Sequence, residues 1–309
     1  MPLRAPALAS LMAALLAVAA DGQDRVLLLV SGGPEAYRRA EAGVRAALAA
    51  RGSSIEVQVV PAEDAQAALA GKPDAVVAVG AKAAEVAQRA GARPLVYAMV
   101  LDPRALGLPA PGDPAQPAVS GVSMEVAAAR QFETFRRLLP AARIIGVLHD
   151  PAVSGPAVRS AAAAARSQGL DLRAVPVRDE GEVLVQARLL LPQVDAVWAM
   201  ADPVVLTPAN ARALILLSLR SGKPVLAISD GFVRSGALAA LSADPEAVGR
   251  RAGEVALSLL DAPPGRALPA EPPPRVSLSI NVATAKNLSL VLSPEILREA
   301  DGVYPRSTP

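Results

Sequence analysis

From residue 26 onward the sequence repeats one pattern: an unbroken apolar run of strand length, a short turn with glycine or proline, and an alanine-rich amphipathic segment. The first example is VLLLV at 26–30, which is followed by Gly32 and Gly33 and by a helical pattern over 35–50. Strands that are apolar on both faces and joined by helices form parallel sheets covered on both sides. This feature predicts an α/β fold.

The pattern occurs in two blocks separated by a proline-rich break at 103–118. The first block has predicted strands at 26–30, 55–60, 75–80 and 94–100, and helices at 35–50, 64–70 and 81–90. The second has predicted strands at 143–149, 172–177, 195–201 and 224–229, and helices at 125–139, 154–168, 180–191 and 208–221. A chain of 309 residues is long enough for two domains, so we predict two doubly wound parallel-sheet lobes.

The segment after the second block is too short to form a domain of its own. It contains an apolar run at 237–242, a helix at 245–260, a proline-rich link at 263–274, a strand at 277–281 and a helix at 294–300. We expect these pieces to complete the two lobes, so that the chain crosses between them more than once. Several crossovers form a hinge, and a hinge between two α/β lobes gives a cleft that closes.

The composition excludes several classes of site. The chain has no cysteine and one histidine, His149, which excludes disulfides, thiolate metal sites, cysteine nucleophiles and a multi-histidine zinc site. Aromatic residues make up 2% of the chain, too few for the stacking platforms that bind single-stranded nucleic acid. The net charge is +2 without any run of Lys or Arg, so we expect no nucleic-acid partner.

Residues 1–20 have the pattern of a secretory signal peptide, because Arg4 precedes an apolar stretch at 8–18 and small alanines close the segment. The stretch is shorter than the roughly 20 apolar residues that span a bilayer, which argues against the alternative of a membrane anchor. No cysteine is present to carry a lipid. We therefore expect cleavage, export to the periplasm and a freely diffusing protein rather than a lipoprotein.

Signatures of common enzymes are missing from the sequence. No G-x-G-x-x-G or P-loop motif follows the first strand, and no G-x-S-x-G or H-E-x-x-H motif occurs. His149 is followed by Asp150, which leaves a Ser/His/Asp triad conceivable, but a histidine at a strand end near a cleft more often contacts ligand or caps a turn. We expect no catalytic residue, no cofactor and no metal.

Four strings resemble the substrate-binding protein family of ABC transporters that includes tryptophan and tyrosine binders: 121–123, 143–151, 223–260 and 277–301. The last two are the most specific, because a strand, Ser-Asp, Gly-Ala-Leu-Ala-Ala-Leu, a Gly-Arg helix and an Asn-x-x-x-Ala strand occur in that order. The resemblance covers about residues 25–301. It implies a type I periplasmic binding protein fold with three crossovers, with a lobe I of 25–119 plus 237–262 and a lobe II of 120–236 plus 273–309.

Ligand contacts are predicted from sheet geometry. In open parallel sheets, ligands bind beyond the carboxyl ends of the strands, where the N-terminal amides of helices attract anions. The candidate ligand-binding residues are Ser31, Gly32, Gly33, Gly80, Ala81 and Leu101 in lobe I, and Ser123, His149, Asp202, Ser229 and Asp230 in lobe II. A ligand carboxylate would bind at Ser31, Ala81 and Ser123, whereas a ligand ammonium would need Asp230 or Asp202.

Several of these residues have a purely structural alternative. Ser31 and Ser123 could serve only as helix caps, and Asp202, which precedes a proline, is also a common turn acid. Trp198 and Tyr97 lie inside predicted strands and are expected to be core residues.

The sequence departs from the family pattern at the predicted cleft. His149-Asp150-Pro151 stands where the family usually has Tyr-Asn-Pro, and Ser229-Asp230-Gly231 lacks the glutamate of the usual Ser-Asp-Glu-Gly. Because both changes affect candidate ligand residues, the resemblance does not imply an aromatic amino acid as the ligand.

The leading hypothesis is an extracytoplasmic, monomeric solute-binding protein that captures a small polar, amino-acid-like ligand between its lobes and delivers it to an ABC permease in the inner membrane. One alternative is a periplasmic protein that presents its closed form to a sensor or to an outer-membrane uptake system. A two-lobed transferase is less favoured, because no acid/base pair and no nucleotide-binding signature are visible. A transcription repressor with these lobes would need a helix-turn-helix, which is missing.

Overall fold

A computed structural model describes residues 23–33 and 35–305 of the 309-residue chain, without the side chain of Ser53. The predicted signal peptide at 1–20 lies outside the described residues. Within the described ranges, every helix is too short or too polar to cross a membrane.

The chain divides into two units by its internal contacts. Unit 1 holds the described residues up to Gly121 together with Gly249–Ala270, and unit 2 holds Val122–Val248 and the described residues from Glu271 onward. The chain therefore passes from one unit to the other three times, which is the number of crossovers that the resemblance implied.

Unit 1 is built on a five-stranded sheet with the strand order β2-β1-β3-β4-β5. Its strands are β1 (Asp24–Val30), β2 (Ile55–Pro61), β3 (Ala75–Val79), β4 (Leu95–Ala98) and β5 (Val119–Val122). The helices between them are α1 (Glu35–Ala49), α2 (Ala65–Ala70) and α3 (Ala81–Arg89). The pairings of β1 with β2, β1 with β3 and β3 with β4 are all parallel, as the unbroken apolar runs predicted.

Unit 2 is built on a seven-stranded sheet with the order β12-β11-β10-β9-β8-β6-β7. Its strands are β6 (Ile144–His149), β7 (Asp171–Pro176), β8 (Ala196–Trp198), β9 (Val225–Ala227), β10 (Ala239–Ala243), β11 (Val276–Asn281) and β12 (Gly302–Tyr304). The helices are α4 (Ala128–Leu138), α5 (Pro151–Ser167), α6 (Glu182–Leu190), α7 (Pro208–Arg220), α8 (Asp230–Arg234), α9 (Pro245–Leu260), α10 (Val282–Asn287) and α11 (Pro294–Glu299). Only the first residues of α9 belong to this unit.

The largest difference from the predicted lobe boundaries concerns residues 237–248. Residues 237–248 were expected in lobe I, but they belong to unit 2 because β10 pairs in parallel with β9 and in antiparallel with β11. That part of the lobe I assignment is wrong. The later proline-rich segment up to Ala270 belongs to unit 1, where Ala118 donates its amide to the carbonyl of Arg266.

The antiparallel β10–β11 pair is an exception to the predicted parallel sheet. The chain leaves the sheet at the end of β10 and re-enters it beside the same point, where the amide of Asp244 donates to the carbonyl of Arg275. Because β11 starts next to the end of β10, it runs back along its neighbour. The other described pairings of this sheet are parallel.

Helices α1 and α9 approach closely within unit 1. A Cβ atom at Gly249 would overlap the carbonyl oxygen of Ala40, and a Cβ atom at Gly253 would lie 2.7 Å from that of Ala47. These two glycines lie one turn apart on α9, so their missing side chains let the two helix backbones meet.

Trp198 lies in the core of unit 2, as predicted. Its side chain is 4% exposed, its indole Nε1 donates to Oε1 of Gln131 at 2.9 Å, and its ring stands edge-on to that of Phe132 at a centroid distance of 5.2 Å. Tyr97 is fully buried in unit 1, which also confirms its predicted core role.

Candidate functional site

The carboxyl ends of β1 and β3 meet at one edge of the unit 1 sheet. Ser31 follows β1, is 5% exposed, and accepts the amide hydrogen of Ala83 on its Oγ at 2.9 Å. Gly80 follows β3 with a φ of +93°, and a Cβ atom there would lie only 2.6 Å from the Oγ of Ser31. Ser31 therefore caps α3, and Gly80 leaves the space that this contact needs.

The first turn of α3 presents two further amides at this edge. Ala84 bonds back to the carbonyl of Gly80, and Ala83 is held by Ser31. No partner within the described chain engages the amides of Ala81 and Lys82. The start of a helix with unpaired amides attracts a negatively charged group.

Tyr37, on the first turns of α1, is a candidate that the sequence reasoning missed. Its ring carbon Cε2 would lie 3.0 Å from a Cβ atom at Gly80, so the ring stands beside the start of α3. Burial raises the pKa of the Tyr37 phenol, which therefore stays a neutral hydrogen-bond donor at physiological pH. The sequence signal that could have identified Tyr37 is its place in the first turn of the helix that follows Gly32 and Gly33.

The remaining unit 1 candidates are exposed at the same edge. Gly32 and Gly33 have open space where a Cβ atom would stand, and Gly33 has a φ of +125°. Leu101 is 54% exposed and lies two residues after Met99, a residue other than glycine with a φ of +58°. An exposed leucine after a left-handed residue offers an apolar contact at this edge.

Asp202 is a buried anchor of the unit 2 edge. Its Oδ2 accepts from the amide of Asp150 at 2.8 Å and from the hydroxyl of Ser154 at 2.6 Å, and its Oδ1 accepts from the amides of Val204 and Val205 at 3.0 and 3.1 Å. The residue is 2% exposed. Because four donors of unit 2 already fill its carboxylate, Asp202 joins the loops after β6 and β8.

Asp230 is also engaged within unit 2. Its Oδ1 accepts from the hydroxyl of Ser279 at 2.8 Å, and its Oδ2 accepts from the hydroxyl of Tyr304 and from Arg234, both at 2.9 Å. These contacts fasten α8 to β11 and β12.

His149 and Ser123 are both buried. His149, at the end of β6, is 8% exposed, and its Nδ1 has no hydrogen-bond partner in the described chain. Ser123 is 1% exposed, and its Oγ accepts the amide hydrogen of Glu125 at 2.9 Å. His149 thus retains an unused polar atom, whereas Ser123 stabilises the turn before α4.

Ser229 lines a cavity of about 280 Å³ between α7 and α8. It precedes α8 in an extended conformation, and its side chain makes no capping bond. Arg212 and Phe232 also line this cavity, and the sequence reasoning missed both of them. Arg212 lies one turn after Pro208, the first residue of α7. The sequence signal that could have identified Arg212 is this place near the start of a helix that follows a strand.

The structure therefore brings together Ser31, Gly80 and Ala81 in unit 1, and it links the loop after His149 to Asp202 in unit 2. Ser229 and Asp230 are adjacent at the start of α8. Across the described ranges, no group of three or more histidine, aspartate or glutamate side chains is arranged to hold a metal ion.

Two doubly wound α/β units joined by three chain crossings, with polar groups gathered at the carboxyl ends of their strands, define the type I periplasmic binding protein class. Residues 34–304 match the model of the ABC transporter substrate binding protein family. The chain belongs to that family.

Known relatives agree with this fold. A tyrosine-binding protein of Clostridioides difficile (strain R20291) is 25% identical over 229 residues, which span 71% of this chain and 64% of that protein. The ligand-free, open structure of a substrate binding protein with adhesive properties from Clostridium difficile has a TM-score of 0.75 at 21% identity, covering 91% of this chain and 99% of that one. The L-Trp complex of an ABC domain from Streptococcus pneumonia has a TM-score of 0.69 at 21% identity, covering 91% and 100%.

Proposed function

We propose that this protein is an exported, monomeric receptor that binds a small amino-acid-like solute and delivers it to an ABC permease, without catalysing a reaction. Its family membership supports a role in solute capture. A cleaved signal peptide and a freely diffusing mature protein form part of the same proposal.

The start of α3 is the observation that carries this proposal. Two amides without a partner in the described chain, those of Ala81 and Lys82, lie beside the neutral phenol of Tyr37. Such donors suit a carboxylate, because the N-terminus of a helix carries partial positive charge.

The first experiment is a thermal-shift screen of refolded, ligand-stripped protein against L-amino acids, small carboxylic acids, nucleosides and sugars. A ligand at 100 times its dissociation constant stabilises the folded state by about 2.7 kcal/mol. We expect stabilisation by a carboxylate-bearing solute. Stabilisation by none of the panel, or turnover of a bound solute, would contradict the proposed function.

A single substitution tests the α3 amides directly. Ala81→Pro removes one N–H group at the first position of the helix, where proline is well tolerated, and the ψ of 160° at Gly80 suits the residue before a proline. We expect about tenfold weaker binding of the carboxylate ligand by calorimetry. Arg89→Gln, in the last turn of α3, is the control, because it changes a side chain of the same helix and keeps both amides at its start. Equal affinities for Ala81→Pro and the wild type would exclude the amide contact.

A further inference from the structure

Helices α6 and α7 lie side by side on one face of the unit 2 sheet. The side-chain amide of Asn210 donates to the carbonyl of Glu180 at 2.9 Å, which joins the start of α7 to the turn before α6. Buried residues of both helices belong to one apolar cluster. Because both helices turn their buried sides toward the same cluster, their opposite sides form one continuous outer surface.

Large apolar side chains are exposed on this outer surface. Val185 and Leu189, one turn apart on α6, are 53% and 60% exposed, and Leu216 of α7 is 50% exposed. They are three of the six large apolar side chains that are exposed among the described residues. A helix that is apolar on most of its circumference is ordinarily covered on all sides, and grouped exposed apolar residues mark contact surfaces.

The same surface is cationic. Three exposed arginines, Arg188, Arg212 and Arg220, lie among the apolar side chains. Helix α7 contains no acid, and the sole acid of α6 is Glu182, at its first residue. Successive turns of α7 therefore present arginine, leucine and arginine to solvent, at 212, 216 and 220.

Other helices of the protein expose a different kind of surface, because their arginines pair with acids of the same helix. Arg45 pairs with Glu41 on α1, and Arg251 pairs with Glu254 on α9, both at 2.8 Å. The surface of α6 and α7 instead combines positive charge with aliphatic side chains, so a complementary surface is negatively charged and also offers apolar contact. We call this surface the α6–α7 face, which comprises Val185, Arg188, Leu189, Arg212, Leu216 and Arg220.

We propose that the α6–α7 face binds reversibly to an anionic phospholipid surface. Long arginine side chains reach lipid phosphates while aliphatic side chains enter the boundary with the acyl chains, which is how amphipathic helices lie in a membrane interface. A lipid surface offers negative charge and apolar chains over a broad area, which matches the outer sides of two adjacent helices. This inference rests on the proposed export, which brings the protein to the inner membrane, and it does not involve the solute contacts at α3.

The test is co-sedimentation with sucrose-loaded vesicles. It uses the mature protein without residues 1–20, because that apolar segment would itself bind lipid. We expect at least tenfold stronger partitioning onto vesicles with about 30% phosphatidylglycerol in phosphatidylcholine than onto phosphatidylcholine alone. Salt at about 0.5 M should remove this difference, because it screens the attraction between the arginines and the lipid phosphates.

One set of substitutions tests the charge of the face. A triple variant should partition at least tenfold more weakly onto the anionic vesicles, because each arginine near an anionic surface contributes about fivefold: Arg188→Gln, Arg212→Gln and Arg220→Gln. The matched control removes the same net charge from exposed positions on α4 and α5, whose buried residues pack in another cluster, and should stay within threefold of the wild type: Arg130→Gln, Arg159→Gln and Arg166→Gln. Equal losses in the two triple variants would mean that net charge acts rather than this face, and would overturn the inference.

A second set tests the apolar contact. Leu189→Ser combined with Leu216→Ser should weaken partitioning at least fivefold, because two aliphatic groups no longer leave water. Val153→Ser combined with Val291→Ser is the matched control, since these exposed valines lie outside the α6–α7 face, and it should partition like the wild type. Thermal unfolding without lipid verifies that all variants fold.

Partitioning that is absent, or equal on both kinds of vesicle, would overturn the inference. Sedimentation velocity without lipid tests a second copy as the occupant: a wild-type dimer that dissociates in the Leu189→Ser, Leu216→Ser variant would assign the face to self-association instead. All variants should keep the thermal shift that the solute produces. Loss of lipid binding with an intact solute shift therefore refutes this inference alone, whereas a wild type that no solute stabilises refutes the proposed function.

Discussion

Replacement of Gly80 by alanine tests the architecture of the unit 1 edge. Gly80 has a φ of +93°, which is strained for any residue with a side chain. The added Cβ atom would also lie 2.6 Å from Oγ and 2.8 Å from Cβ of Ser31, and 3.0 Å from Cε2 of Tyr37. The Ser31 hydroxyl is not free to move away, because it caps α3 by accepting from Ala83.

The expected cost is the sum of two effects. The unfavourable φ costs about 1–3 kcal/mol, and forcing an atom into a packed site costs about 1–3 kcal/mol more. Alanine also lowers the conformational entropy of the unfolded chain, which offsets this loss of stability by about 0.4–1 kcal/mol. We therefore expect Gly80→Ala to lower the free energy of unfolding by about 3 kcal/mol, and to weaken solute binding because the start of α3 is displaced.

The assay is urea unfolding monitored by far-UV circular dichroism. Gly33→Ala is the control, because Gly33 also has a positive φ, +125°, but no atom lies within 4 Å of the place that its Cβ atom would take. It should show the backbone cost alone, about 1–2 kcal/mol. The double variant Gly80→Ala with Ser31→Gly removes both overlapping atoms of Ser31, so the two substitutions should couple favourably by about 1 kcal/mol.

Equal losses of stability in Gly80→Ala and Gly33→Ala would refute this reasoning. That result would mean that Ser31 and Tyr37 yield freely and that the edge is not a fixed arrangement. Additive effects in the double variant would have the same meaning.

Further substitutions test the roles assigned to three acids and one glycine. Asp202→Asn should lower the free energy of unfolding by about 2–3 kcal/mol in urea, because an amide group cannot accept from donors on both sides; a change within about 0.5 kcal/mol would contradict the anchor role. Asp230→Ala should destabilise unit 2 in urea but leave the affinity for the carboxylate-bearing solute within about threefold, and loss of binding would instead support an ammonium contact. Backbone hydrogen bonds lower the pKa of Asp195, so its carboxylate stabilises the fold above its ordinary pKa of about 3.9 and loses this effect as the pH falls through the folded value. Asp195→Asn should therefore cost about 1 kcal/mol at pH 7 and progressively less as the pH is lowered below its ordinary pKa of about 3.9, and a difference independent of pH would contradict this account. Gly249→Ala should lower the melting temperature through overlap of α9 with α1, whereas an unchanged melting temperature would argue against their close approach.

The alternation of segments predicted most of the fold. Unbroken apolar runs such as that of β1 identify buried parallel strands, because such a run is visible within a few consecutive residues. Pairing partners are not local, which is why 237–248 was assigned to the wrong unit. β5 and β12 were missed because their sequences, Val-Ser-Gly-Val and Gly-Val-Tyr, are not unbroken apolar runs.

The sequence predicted where the candidate residues lie in the sheets, but not which of their side chains already form hydrogen bonds within the protein. Ser31 directly follows β1 and His149 ends β6, which are the positions that the sequence pattern predicted for them in a parallel sheet. The four donors around Asp202 come partly from residues about 50 positions away, so the sequence carries no sign that this carboxylate is already engaged. Arg212 was missed because its access to a cavity depends on how α7 and α8 pack.

Trp198 has a spectroscopic consequence, because it is the sole tryptophan of the chain and lies in the core of unit 2. Its fluorescence reports the unfolding of that unit, whereas far-UV circular dichroism reports the helices and strands of both units. A substitution in unit 1, such as Gly80→Ala, that shifts the fluorescence transition as much as the dichroism transition would show that the two units unfold as one cooperative system. The native chain thus carries its own optical probe of cooperativity, without any added label.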